Sequence, residues 1–372
     1  LVPYIREDLG LSYAEVGIFA SVFFFSSFFA NAGSGAVVDI TGRRVLIQFY
    51  SLVAGGASLM AMGLADNILM IIAMLVFIGV TNNLWHPAAI SYLSELYPRQ
   101  RGYVLSIHTL GASIGDMTAP LIAGLLLVGM TWQTTAMVSG APILVMAVVL
   151  YLVLSGREQN RFQELNERGS RSVISGSEYI RGVLDLIRNG PFLGICLMAA
   201  FRSMAQNGLL FFLPLLMMDE LGFGSVLLGL ALTALQLGGL VAGPIAGIFS
   251  DRLGRRPVVL SGLVAATLFI ALVPLIDMEA SFIIILSVVG FTLFAVRPVI
   301  HSWSMDLTPK EMSGSAISFL FGSQAGFSIF VPIAGGFASD AWGLDVVFFG
   351  LAGCMAIASI VAYALPTTEL AD

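Results

Sequence analysis

The sequence predicts an all-α integral membrane protein, and its composition supplies the first two observations that favour this fold class. Hydrophobic residues make up 58% of the 372 residues and charged residues 11%, whereas soluble domains carry about 25% charged residues. Two runs without Asp, Glu, Lys or Arg, residues 45–65 and 67–94, reach the ~20 apolar residues that a spanning helix needs. Because hydrocarbon offers the backbone no hydrogen-bond partners, runs this long are expected to be helices.

Hydropathy predicts eleven complete spans and one polar linker. The approximate limits of the spans are residues 17–38, 45–65, 68–95, 102–128, 133–154, 190–217, 226–249, 257–276, 280–304, 313–338 and 346–365. The linker, residues 155–189, contains six Arg and four Glu. Apolar residues recur at helical spacing over residues 178–188, so we expect an amphipathic helix along the membrane surface there.

An internal repeat is the third observation behind the fold class. The pattern G-x-x-x-D-x-x-G-R-R occurs at residues 35–44 and again at residues 247–256, and its aspartates, Asp39 and Asp251, lie 212 residues apart. Each copy sits between two apolar runs, so it is predicted to form a tight charged turn whose glycines permit the reversal. Further pairs, such as His86-Pro87 with Arg297-Pro298, align at nearly the same offset.

Self-similarity of this kind predicts two homologous six-helix halves related by an axis along the membrane normal. We assign residues 1–154 to the first half, 155–189 to a cytoplasmic linker and 190–372 to the second half. Because Pro3 aligns with Pro214 and Gly10 with Gly222, residues 1–6 correspond to the last turn of a helix. The repeat therefore leads us to expect that most of the first helix is missing from this sequence.

The distribution of positive charge predicts the orientation. Fourteen of the 17 Lys and Arg residues fall at one set of helix ends, and acidic residues dominate the other set. The positive-inside rule places the basic ends, with the linker and both signature turns, in the cytoplasm. The expected location is the cell inner (plasma) membrane, with the lipid bilayer as a partner and no role for nucleic acid.

Ionisable side chains inside the spans are the candidate functional residues, because they are costly in the membrane. Asp116 lies about fifteen residues past Arg101, near the bilayer midplane at 1.5 Å per residue. A lone carboxylate there suits reversible protonation, although a purely structural packing role explains it equally well. His108 titrates near neutral pH and is a second candidate proton carrier. We therefore name Asp116 and His108 as the candidate proton-coupling residues.

Two arginines are predicted near the midplane, and each needs an anionic partner because Arg does not deprotonate in proteins. Arg202 shares a helix face with Gln206, and Arg297 shares one with His301, at i+4 spacing. The partner is either Asp116 or a substrate anion. His86, in the fourth predicted helix, is either a substrate contact or a hydrogen-bonded core histidine.

The cytoplasmic ends of the helices carry a set of candidate gating residues. Carboxylates at the ends of two helices, paired with arginines of the signature turns, would hold the inner side closed. The set comprises Asp39, Arg43, Arg44, Glu95, Asp251, Arg255, Arg256 and Asp306.

The two signature turns resemble the signature loop of the major facilitator superfamily of transporters, which joins the second and third helices of each half. This resemblance implies a central cavity lined by helices one, four, seven and ten, so that His86, Arg202, Gln206, Arg297 and His301 face the substrate. A narrower resemblance rests on residues 86–98, Arg101-Gly102, residues 106–108 and residues 111–124. These segments are similar to the fosmidomycin-resistance type of drug/proton antiporter. Here Asp116 follows Gly115 and Pro120 comes later than in many antiporters, which leaves the direction of transport open.

The expected function is secondary active transport, with proton-coupled export of a small amphipathic drug or organic anion by alternating access. Proton-coupled import of an organic anion is the first alternative, and a sensor or scaffold that transports nothing is the second. The expected partners are a small-molecule substrate and protons, and the expected state is a monomer. Cys196 and Cys354 fit no metal-ligand spacing, so neither a cofactor, a metal nor an enzymatic activity is predicted.

Overall fold

A computed structural model describes residues 1–168, 186, 188–276, 279–308 and 313–365. Thirteen α-helices occupy this part of the chain. They are α1 (Val2–Leu9), α2 (Tyr13–Thr41), α3 (Arg44–Met62), α4 (Ile68–Leu96), α5 (Arg101–Leu126), α6 (Trp132–Arg168), α7 (Gly190–Leu215), α8 (Ser225–Leu253), α9 (Arg255–Leu272), α10 (Glu279–Asp306), α11 (Ser313–Ser328), α12 (Phe330–Trp342) and α13 (Leu344–Ala364).

Eleven segments of the described chain are long and apolar enough to cross a membrane, which confirms the eleven spans predicted from hydropathy. The largest difference in length is in α6, which continues to Arg168 instead of ending near residue 154. No Gly or Pro follows Gly156 within this helix, and the added turns are rich in Glu, Gln and Arg, which favour helix. The predicted surface helix at residues 178–188 falls almost wholly outside the described residues.

The tenth predicted span, residues 313–338, is divided between two helices. α11 ends at Ser328 and α12 begins at Phe330. Pro332 has no N–H to donate to the carbonyl of Ser328, one turn earlier, which explains a discontinuity at this place. A π-helical turn, Leu216–Glu220, similarly follows Pro214 at the end of α7.

Two aligned pairs of glycines have positive φ. Gly42 and Gly254, in the two signature turns, have φ of 62° and 91°, and Gly10 and Gly222 have φ of 62° and 66°. This left-handed region favours glycine. The structure therefore confirms tight turns at both copies of the repeated motif.

The helices form two compact units, and their boundaries cut through α2 and α5. Unit 1 contains residues 22–112 and the segment that begins at Gly129. Within it, α3 packs against α4 and α6, and the rings of Phe49 and Tyr151 lie 4.9 Å apart. The assignment of residues 1–154 and 190–372 to two six-helix halves remains a prediction.

Unit 2 contains residues 2–21, residues 113–128 and the described residues from Leu186 onward. In this unit α8 packs along α10, α7 packs against α11 and α13, and α9 packs against α10 and α13. The largest fully buried side chains of its core include Phe192, Phe212, Phe282, Trp303 and Phe348. This packing supports α7 and α10, the helices that carry both candidate arginines.

Candidate functional site

Arg202 lies on α7 in the interior of unit 2, with only 3% of its surface exposed. Its Nη2 donates a hydrogen bond of 2.9 Å to the backbone carbonyl of Leu293 on α10. Its Nε is also buried and has no hydrogen-bond partner in the described part of the chain. A permanent charge is therefore held in the helix bundle by a neutral acceptor, with one donor unused.

Arg202 opens onto a narrow recess between α7, α10 and α11. The recess is lined by Ala199, Arg202, Arg297, Ile300, His301 and Gln324. Arg297 is exposed, whereas His301 is half-buried with its ring 5.2 Å from that of Phe321. The structure thus brings together Arg202, Arg297 and His301, three residues that the sequence identified on two separate helices.

Positive charge is in excess around this recess. Among the described residues, neither Arg202 nor Arg297 forms an ion pair with a carboxylate. Asp116 on α5 is near enough for its charge to act on Arg297, but the two are not within ion-pair distance. Asp116 is exposed on the described structure, and its role as a proton-coupling residue stays a prediction. The helix places it at the surface of unit 2.

A polar cluster next to the recess was missed by sequence reasoning. The amide of Asn207 donates to the hydroxyl of Ser328 at 2.9 Å and to that of Ser203 at 3.4 Å. Gln206, predicted as a substrate contact, is half-buried, and its Oε1 lacks a hydrogen-bond partner among the described residues. The i+4 spacing of Ser203 and Asn207 was a usable signal, but Ser328 lies on another helix far along the chain.

The remaining candidate histidines belong to unit 1. His108 on α5 stacks on the ring of Trp85 on α4, with ring centres 5.3 Å apart, and Trp85 also contacts His86. His108 is half-buried and His86 is exposed. His108 and Asp116 share α5 but lie in different units, and the described contacts of His108 are aromatic.

The signature turns make ion pairs within their own repeats. Arg44 pairs with Glu95 at the end of α4. In the second copy, Arg255 binds Asp306 at the end of α10 at 3.1 Å. Glu95 and Asp306 occupy aligned positions, so in each repeat an ion pair joins the signature turn to the end of the corresponding helix.

Other gating candidates make local contacts or fall outside the description. Arg255 also donates to Asp251 and to the hydroxyl of Ser250, and Arg256 donates to the carbonyl of Tyr363. Arg43 is exposed, and the side chain of Asp39 lies outside the described residues. The gating role of this set stays a prediction. Among the described residues, no group of three or more potential ligands is placed to hold a metal ion.

Comparisons with known proteins cover nearly the whole chain. The sialic acid transporter of Escherichia coli is 22% identical over 94% of this chain and 84% of its own length. A probable sulfoacetate transporter of Cupriavidus necator is 24% identical over 100% of this chain and 90% of its own length. A bacterial homolog of the human lysosomal transporter Spinster, solved in an inward-facing and occupied conformation, superimposes with a TM-score of 0.72 at 14% identity. The superposition covers 96% of this chain and 90% of the Spinster homolog.

The sequence profile of the Major Facilitator Superfamily matches residues 1–228 and 195–371. The two matched segments include both signature turns and the helices that carry the recess. The helical fold and the repeat agree with this match along the chain. The chain therefore belongs to the Major Facilitator Superfamily, and it is a multi-pass membrane transporter of small molecules rather than an enzyme.

Proposed function

We propose that this transporter takes up a small organic anion together with protons, and that a carboxylate or similar group of the substrate binds at the recess of Arg202 and Arg297. The observation that carries the proposal is the pair of arginines without a carboxylate partner in the described part of the chain. An unpaired charge inside a membrane costs several kcal/mol. A substrate anion removes this cost, and a guanidinium holds a carboxylate through two parallel hydrogen bonds.

The charge of the substrate supports the coupling to protons. Moving one negative charge inward against an inside-negative potential costs about 2.3 kcal/mol per 100 mV. Protons that travel with the anion offset this cost. Asp116, whose charge acts on Arg297, is the proposed proton carrier: when it is protonated it no longer competes with the substrate for that arginine.

The named relatives also favour an organic anion over a drug. Sialic acid and sulfoacetate are organic acids, and neither relative is named as a drug exporter. The resemblance to the fosmidomycin-resistance type receives no support from these relatives. Their identities of 22% and 24% are too low to transfer a particular substrate, so the proposal is limited to the class.

The test is transport into proteoliposomes that contain the purified protein under an imposed pH gradient. The labelled compounds are monocarboxylates, dicarboxylates, hydroxy acids and sugar acids, with cationic and neutral dyes for comparison. We expect accumulation of one of the acids, its loss in Arg297→Gln and weaker binding in Arg297→Lys, because Lys does not reproduce the bidentate geometry. Arg188→Gln, which removes an exposed charge outside the recess, is the control.

Two results contradict the proposal. Transport of only cations or neutral compounds, with Arg202→Gln and Arg297→Gln both fully active, excludes an anion site. No transport of any compound in either direction, in protein that is folded and inserted, favours the sensor or scaffold. Reversing the gradient distinguishes uptake from export.

A further inference from the structure

The N-terminus of α2 is held by a carboxylate from a distant part of the chain. Asp340, near the end of α12, accepts hydrogen bonds of 2.9 Å from the backbone N–H groups of Tyr13 and Ala14, one on each carboxylate oxygen. The first N–H groups of a helix have no partner within the helix and carry partial positive charge. Ser12 and Glu15 form a local capping box at this helix start, and Asp340 supplies acceptors for two further N–H groups.

Below this cap the backbones of α2 and α12 touch. A Cβ on Gly336 would lie 2.4 Å from the carbonyl oxygen of Tyr13, and a Cβ on Gly17 would lie 2.0 Å from the carbonyl oxygen of Pro332. Either distance is too short for a side chain, so this contact depends on glycine at both positions. Asp340, Gly336 and Pro332 are spaced four residues apart and form one face of α12.

Side chains reinforce the same contact. Asp219, just beyond α7, accepts from the Tyr13 hydroxyl at 3.0 Å and from Arg6 at 2.8 Å. The Arg6 guanidinium lies 3.9 Å from the centre of the Tyr13 ring. Tyr13 is thus bound through its backbone by Asp340 and through its side chain by Asp219. All of these residues belong to unit 2.

The repeat supplies an internal comparison. At the positions aligned with Gly17, Pro332 and Gly336, α8 and α5 make the equivalent backbone contact. A Cβ on Gly124 would lie 2.4 Å from the carbonyl oxygen of Ser225, and one on Gly229 would lie 2.7 Å from that of Pro120. The position aligned with Asp340, however, is Val128. The N-cap residue of α8 is Gly224, which has no side chain to accept a hydrogen bond from the helix start.

Only one of the two equivalent contacts therefore carries a carboxylate. We propose that Asp340 is a latch that holds α2 on α12 and biases the transporter toward the state in which these helix ends are joined. This inference rests on the proposed transport by alternating access, because a transporter that changes state has to separate helix ends that are joined in one state. An interaction present in only one state shifts the equilibrium toward that state.

The experiment measures the distance between α2 and α12 in the whole protein in lipid nanodiscs, without substrate. Spin labels are attached to Ile18→Cys and Trp342→Cys, both at exposed positions, after Cys196→Ser and Cys354→Ser. Pulsed electron paramagnetic resonance then gives the ratio of molecules with α2 and α12 separated to molecules with these helix ends joined. We expect Asp340→Asn to raise this ratio about tenfold, since the negative charge and one of the two acceptor oxygens are lost.

Matched variants make the result specific. Asp345→Asn removes an exposed carboxylate on the neighbouring helix α13 and should leave the ratio unchanged. Gly336→Ala forces a methyl group against Tyr13 and should raise the ratio while Asp340 is intact. Gly353→Ala, where a Cβ meets nothing within 4 Å, is its control.

A ratio in Asp340→Asn equal to that of the unsubstituted protein overturns the latch, whether or not Gly336→Ala separates the helices. Because no substrate is present, failure of this test leaves the anion proposal standing. A fully active Arg297→Gln variant would contradict the anion proposal, but it would leave the distance result unaffected.

Discussion

Arg202 and Arg297 differ in their surroundings although both line the same recess. Arg202 is buried and bound to the Leu293 carbonyl, whereas Arg297 is exposed and feels the charge of Asp116. No hydrogen bond of the described structure holds the Arg297 guanidinium, so an anion can bind it without breaking one. We therefore assign first contact with the anion to Arg297 and a supporting role to Arg202.

Asp116→Asn tests the proposed exchange between proton and substrate at Arg297. The amide is neutral at every pH, so it mimics the protonated carboxylate and leaves Arg297 free for the anion. We expect accumulation driven by a pH gradient to be lost, while exchange of labelled for unlabelled substrate across the liposome membrane continues.

Asp66→Asn is the control for that variant, because Asp66 is an exposed carboxylate in the turn between α3 and α4. It should retain both activities. Full gradient-driven accumulation in Asp116→Asn would show that this carboxylate does not carry the coupled proton.

Sequence reasoning identified the charged residues of the recess but not its neutral ones. Arg202, Arg297 and His301 stand out because charges are rare within apolar spans, and i+4 spacing places Arg297 and His301 on one face. Asn207 and Ser328, by contrast, are 121 residues apart, and neither type is unusual in a membrane helix. The exposure of Asp116 depends on how α5 is rotated about its own axis in the fold, and residue spacing along one helix does not determine this rotation.

At the scale of the helices, the capping residues connect local sequence to the site. Asn189 precedes α7, and its Oδ1 accepts from the N–H of Phe192 at 3.1 Å. Its Nδ2 donates to the carbonyl of Leu307, just past the end of α10, at 3.2 Å. Asn189 therefore joins the start of the helix that carries Arg202 to the end of the helix that carries Arg297.

Asn189→Ala is expected to lower the stability of the protein by about 1–2 kcal/mol, since a cap alone contributes ~1 kcal/mol and the bond to Leu307 is lost as well. Asn67→Ala is the matched control, because Asn67 caps α4 through one described bond, to Met70. The measurement is thermal unfolding in detergent. Equal losses in the two variants would show that the bond to α10 contributes nothing.

Hydropathy predicted which segments cross the membrane but not where every helix ends or breaks. The apolar runs are long enough that their number follows from composition alone. The continuation of α6 to Arg168 and the division at Ile329 were missed, because both depend on the backbone rather than on apolar content. Favourable helix formers extend the first, and the missing N–H of Pro332 interrupts the second.

For the whole molecule, the repeat is informative both where it holds and where it fails. Aligned glycines have positive φ in both copies, and aligned acids, Glu95 and Asp306, bind arginines of the two signature turns. The same alignment also shows where the repeats differ, because Asp340 aligns with Val128 and Arg297 aligns with His86. We assign the latch and the substrate anion to these positions, at which the two repeats carry different residues.

The charge count predicts the orientation of the molecule in the membrane, and labelling in cells tests this prediction. Fourteen of the 17 basic residues lie at the ends that carry the signature turns, and basic loops are retained in the cytoplasm. After Cys196→Ser and Cys354→Ser, we expect Met130→Cys, an exposed position between α5 and α6, to react with a membrane-impermeant maleimide in intact cells. Gln100→Cys, exposed between α4 and α5, should react only after the cells are permeabilised. Because neither substitution changes a charge, the reverse pattern would mean that the basic ends face outward and that Asp340 lies on the cytoplasmic side.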